Sequence, residues 1–73
     1  MNMRLIVGKN VRTRRLENGW TQERFAEISG FSQQYISGLE KGQRNPTVVS
    51  LFELAQALGT NPASLLQPFQ TER

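Results

Sequence analysis

Residues 20–46 read WTQERFAEISGFSQQYISGLEKGQRNP, and this stretch decides the fold. Ala26 is followed four residues on by Gly30, six further by Ile36 and three further by Leu39. Two helices that cross steeply over a short turn come close near Ala26, where a larger side chain would wedge them apart. Gly30 supplies the positive φ that a tight exit needs and that other residues resist. Ile36 and Leu39 lock the following helix onto the preceding one. Thr21 and Ser32 stand where N-cap hydroxyls belong. The spacing therefore predicts helices over about 22–29 and 33–40, closed by Gly30 and Gly42.

Four such positions in order form a helix-turn-helix pattern. A generic helical bundle that happens to share the Ala/Gly spacing is the plainer alternative. Working outward, apolar residues recur at three and four and β-branched alternation is missing, so every segment reads as a short helix. A first helix over about 5–17 turns Val7, Val11, Arg15 and Leu16 inward and ends at Asn18-Gly19. Trp20 follows as a core plug. The second helix faces inward with Phe25, Ala26 and Ser29, and Phe31 packs inward beyond it. Thr47 caps a fourth helix to about residue 58, with Val48, Leu51, Leu54, Ala55 and Leu58 on one buried face. Asn61-Pro62 opens a fifth over about 63–67, with proline in the first turn. The expectation is an all-α, compact bundle of about five short helices: one domain over 1–67 and a tail over 68–73.

The bulk numbers narrow the chemistry. Seventy-three residues allow one small domain with a thin core. There is no cysteine and no histidine. That removes thiolate metal sites, disulfides, and the commonest general base and metal ligand. No phosphate-binding glycine loop and no placed acid–base pair stands out, so neither an enzyme, a cofactor nor a metal is expected. The run Leu5–Val7 is too short for a membrane span or signal peptide, so a cytoplasmic protein is expected. The net charge of +3 is uneven. Arg4, Lys9, Arg12, Arg14, Arg15, Arg24, Lys41 and Arg44 precede residue 46, against Glu17, Glu23, Glu27 and Glu40. From Pro46 on, only Arg73 opposes Glu53 and Glu72. A basic first part and an acidic remainder point to a polyanion on one side. The same charges would also suit an ordinary solvated surface.

Residues 14–66, RRLENGWTQERFAEISGFSQQYISGLEKGQRNPTVVSLFELAQALGTNPASLL, resemble the lambda-repressor-like, Xre-type helix-turn-helix domains of phage repressors, restriction-modification controllers and antitoxins. The resemblance implies that the third helix lies in the major groove with its first turns against base edges. Gln33 and Gln34 then fall at the reading end. A glutamine amide carries both donor and acceptor and matches adenine N6 and N7 bidentately, which lysine cannot do. Solvent-facing filler is the bland alternative for this pair. Ser37, one turn on, can touch a base edge or phosphate, and Tyr35 a sugar, a phosphate or a thymine methyl. Gln22 and Ser32 at helix starts are expected at the DNA backbone, as are Lys41, Arg44 and Asn45 after the recognition helix. Arg14, like Arg12, is expected to be exposed and within reach of a flanking phosphate. Related repressors pair an arginine late in the first helix with a glutamate ending the third. The matching residues are Arg15 and Glu40, a structural pair. One departure stands out: Gly38 occupies a place where many members carry a charged residue. Its lack of a side chain permits a close approach of the backbone to DNA or to another helix.

One recognition helix buries too little surface for tight specific binding, so a homodimer on half-sites one helical turn apart is expected. Its surface is expected at the end of the fourth helix and on the fifth, with Asn61, Leu65, Leu66 and Phe69. One of the two leucines is expected to close the monomer core instead. The function expected is a transcriptional regulator that reads double-stranded DNA, of restriction-modification controller or phage-repressor type. The alternative is an antitoxin that binds a protein partner and regulates its own operon; the residues left over, QPFQTER, are few for that. RNA binding lacks the aromatic stacking surface such modules use.

Overall fold

The computed structural model describes residues 2–68. Five helices follow in order: α1 Met3–Glu17, α2 Gln22–Ser29, α3 Gln33–Glu40, α4 Val48–Leu58 and α5 Pro62–Leu66. α1 starts earlier than expected because Asn2 caps it, its side chain accepting from the Arg4 and Leu5 amides. α2, α3 and α4 start where expected, and α5 starts one residue earlier, at Pro62 itself. Thr21, Ser32, Thr47 and Asn61 each accept a backbone N–H three residues on. Gly30 closes α2 at φ 85°, where a Cβ would be strained. Among the described residues no helix is long and apolar enough to cross a membrane.

The core gathers Val7 and Val11 of α1, Phe25 and Ala26 of α2, Ile36 and Leu39 of α3, Leu51, Leu54, Ala55 and Leu58 of α4, and Leu65 of α5. Trp20 stacks on Phe25 at 5.9 Å between ring centroids and is only half-buried. Two inward assignments fail. Leu16 is exposed, because Arg15 takes the inward place one turn after Val11 and the next residue swings to the flank. Val48 has the right spacing but is 85% exposed: it is the first residue of α4, and burial on that helix begins at Leu51.

Two features of α1 hold the bundle together and carry no obvious sequence mark. Gly8 is buried where α1 crosses α3. A Cβ there would fall on the carbonyl oxygen of Leu39 and 3.1 Å from Glu40 Cα, so only glycine lets the two backbones come this close. Asn10 is buried too, and its Nδ2 donates to the carbonyls of Leu65 and Gln67, both at 2.8 Å. The Leu65 carbonyl, buried at the end of a five-residue helix, would otherwise lack a partner. α1 thus fixes the end of α3 with a glycine and the end of α5 with an amide.

Candidate nucleic-acid interface

α3 presents its first turn outward. Ser32 Oγ accepts the Tyr35 amide at 3.0 Å, so its hydroxyl is engaged in capping. Gln33 and Gln34 are exposed beside it. They line one open concavity of about 450 Å³ with Ser37, Gly38, Lys41, Gln43 and Arg44. The structure therefore brings together Gln33, Gln34, Ser37, Lys41 and Arg44, and adds Gln43, which sequence reasoning passed over. A third glutamine just past the helix exit was the available signal.

Asn45 does not join this group. It borders a separate surface with Asn2, Met3 and Arg4 at the start of α1. Arg14, expected to be exposed, is half-buried, and it does not line the concavity.

Tyr35 turns inward instead of toward the concavity. Its ring stacks on Phe31 at 4.9 Å and lies under the Arg44 guanidinium, 5.5 Å from the ring centroid. Burial pushes its phenol above the ordinary value of 10.0, against the opposing effects of Ser50 and Arg44. Tyr35 therefore stays protonated at neutral pH and supports the face from behind.

The expected pair forms. Arg15 Nε donates to Glu40 Oε2 at 2.7 Å and Arg15 Nη2 to Oε1 at 2.9 Å, a fork-to-carboxylate match. The side chains are 7% and 3% exposed. Arg15 Nη1 donates to the Trp20 carbonyl at 2.7 Å, and Gln22 Nε2 to Glu40 Oε1 at 3.0 Å. Gln22 is thus drawn into the cluster that ties α1, α2 and α3 together. Burying two charges is costly unless they are paired and hydrogen-bonded, and here the fork is joined by the Trp20 carbonyl on one side and the Gln22 amide on the other.

Gly38 lines the concavity, and the side chain of Arg44 packs over it, with Nε 3.1 Å from where a Cβ would stand.

At the other end, the expected dimer residues divide. Leu65 is 0% exposed and belongs to the monomer core, so it offers nothing to a partner, whereas Leu66 is 42% exposed. Asn61 Oδ1 is engaged in capping α5 through the Ser64 amide at 3.0 Å. Phe69 lies outside the described residues. Sequence reasoning missed the exposed apolar side chains of α4: Val48, Val49 and Phe52.

Comparison with known proteins meets this geometry at one point. The family profile described as Helix-turn-helix matches residues 11–65, which takes in all of α2, α3 and α4. The chain belongs to the helix-turn-helix family. It is 56% identical over 68 residues to an uncharacterized HTH-type transcriptional regulator of Sinorhizobium fredii, covering 93% of this chain and 88% of the relative. It is 42% identical to the control protein C.SmaI of Serratia marcescens, covering 90% and 79%. Among solved structures, the restriction-modification controller protein C.AhdI of Aeromonas hydrophila superposes with a TM-score of 0.80 at 37% identity, covering 85% of this chain and 94% of that one.

Proposed function

We propose that this helix-turn-helix regulator is a sequence-specific DNA-binding protein that occupies a pseudo-palindromic operator as a homodimer, with α3 in the major groove, in the manner of a restriction-modification controller. The observation that best supports this is the single concavity lined by Gln33, Gln34, Ser37, Lys41, Gln43 and Arg44 on one exposed face of α3. Amides that both donate and accept suit base edges; the cations beside them suit phosphate. The buried Arg15–Glu40–Gln22 cluster supports a reading face that is rigid before DNA arrives, so less ordering entropy is lost on binding. Likeness to C.SmaI and C.AhdI favours the controller type over other members of the family. Double-stranded DNA is the partner, and the protein works in the cytoplasm, where that DNA is.

The dimer reading rests on two points. A face of this size falls short of the area that specific protein–DNA complexes bury. A second copy related by a two-fold axis doubles that area and matches a palindrome. The exposed apolar side chains Val48 and Phe52, one turn apart on α4, and Leu66 on α5 supply a surface for it.

Fluorescence anisotropy tests the reading. One duplex comes from immediately upstream of this chain's own gene, the other is its scrambled counterpart, and both are titrated at several salt concentrations. The expected result is cooperative, salt-sensitive binding, preferring the native duplex by roughly a thousandfold or more. Equal, weak binding to both would overturn an operator at that gene.

A further inference from the structure

Gly38 lies one turn after Gln34 on the same side of α3. A glycine at such a place on a reading helix would ordinarily be open to solvent, yet Gly38 is buried. What covers it is Arg44, from the loop six residues later. A Cβ added to Gly38 would stand 3.1 Å from Arg44 Nε, 3.4 Å from its Cγ and 3.7 Å from its Cδ. The loop is pinned to the same residue: the Gln43 amide donates to the Gly38 carbonyl at 2.8 Å. Just before it, Gly42 turns the chain back at φ 77°. Tyr35 completes the seat, its ring 5.5 Å below the guanidinium carbon. An aromatic face under arginine is attractive and fixes the plane of the fork. Two contacts of the Arg44 side chain and one of the loop backbone thus hold an exposed cation against α3, in the concavity that Gln33 and Gln34 line.

α3 itself contains no lysine or arginine. The side chain best suited to guanine O6 and N7 is an arginine held with its fork in the groove. An arginine fork also matches phosphate, so it is the place of Arg44 that favours a base edge: it lines the same concavity as Gln33 and Gln34. We propose that Gly38 is a specificity-positioning residue: its missing side chain seats Arg44 beside Gln34, so that the loop supplies a guanine-reading arginine to a helix that has none. This rests on the DNA-reading function above and revises the sequence-based expectation that Arg44 only grips the backbone.

The test begins with selection of duplexes from a randomised pool by the wild-type chain, then compares affinity for the selected site with that for single-base variants. Four chains are measured: Arg44→Lys, Arg44→Ala, Gly38→Leu, and Gly38→Leu with Arg44→Ala, each with a thermal melt. In Arg44→Lys the preference for guanine at one position per half-site should fall by roughly 10- to 100-fold while the salt slope is kept, because lysine holds the charge and lacks the fork. Arg44→Ala should lose the same preference. Gly38→Leu fills the seat, so it should lose the preference with an unchanged melt and should have no further effect once Arg44 is alanine. Arg44→Ala weakening every duplex alike would make Arg44 a phosphate contact and overturn the proposal. An effect of Gly38→Leu that persists in the Arg44→Ala chain would mean a direct clash with DNA, and also overturn it. A wild-type chain that enriches no sequence at all would overturn the DNA-reading function, and this proposal with it.

Discussion

The two ends of this small bundle solve opposite problems. Around α2 and α3, polar groups are fixed by other polar groups: Arg15, Glu40, Gln22 and the Trp20 carbonyl form one closed set, and Arg44 is seated on Gly38 and Tyr35. Around α4 and α5, apolar side chains face water: Val48, Val49, Phe52 and Leu66. That exposed apolar surface is what the proposed dimer would cover. A preorganised polar face beside an uncovered apolar one is the arrangement expected of a protein that reads a polyanion and joins a copy of itself.

The sharpest way to break the first region is Glu40→Ala. It leaves Arg15 buried with no carboxylate, and a broken buried pair costs about 3–5 kcal/mol. Chemical denaturation should show that loss, and DNA binding should fall only as far as the fold does. A folded, fully stable Glu40→Ala chain would mean that water replaces the carboxylate. In the second region the comparable change is Leu65→Ala. Leu65 is fully buried, so truncation should cost about 2–5 kcal/mol in the same assay. A loss below about 1 kcal/mol would remove α5 from the core.

Gly8→Ala tests whether the reading helix is held by close backbone approach. The new methyl meets the Leu39 carbonyl and the Glu40 backbone, which cannot swing aside as a side chain can. Overpacking of this kind costs about 1–3 kcal/mol. The ordinary preference of a helix for alanine over glycine points the other way. A more stable Gly8→Ala chain would show that α1 and α3 can separate freely. Gln34→Ala should be silent in the melt and cost about 1–3 kcal/mol on the true operator. Equal loss on random and specific duplexes would make Gln34 a backbone contact, and no loss on either would make it filler.

Much of this was legible in the sequence, for a definite reason. Caps and exits are local: Thr21, Ser32, Thr47 and Asn61 act on amides three residues away, and Gly30 acts on its own φ. Local rules can be read along a string. The Arg15–Glu40 pair was legible only through resemblance to a family, since 25 residues separate its members. The unread parts are contacts between segments. Gly8 looks like a weak spot in a helix until the backbone of α3 lies on it. Asn10 looks like a surface amide until the end of α5 is known. Val48 keeps the period of a buried face and lacks a neighbour to cover it. Arg44 looks like loop charge because nothing in the order of residues says that it folds back onto Gly38.

The smallest effect on the fold belongs to the boldest claim about the second region. Leu66 follows the buried Leu65 and is itself exposed, so Leu66→Asp should change monomer stability by no more than about 0.5 kcal/mol. Phe52→Asp, likewise exposed, should behave the same way. Both should still abolish the dimer in sedimentation equilibrium, because a carboxylate at the centre of an apolar interface loses its water and gains no partner. Concentration separates the two effects. A dimer binds only the folded state, so the wild-type melting temperature should rise with protein concentration. In the aspartate variants that rise should vanish while the dilute melting temperature stays put. If the wild-type melt does not move with concentration, this apolar face does not join two copies.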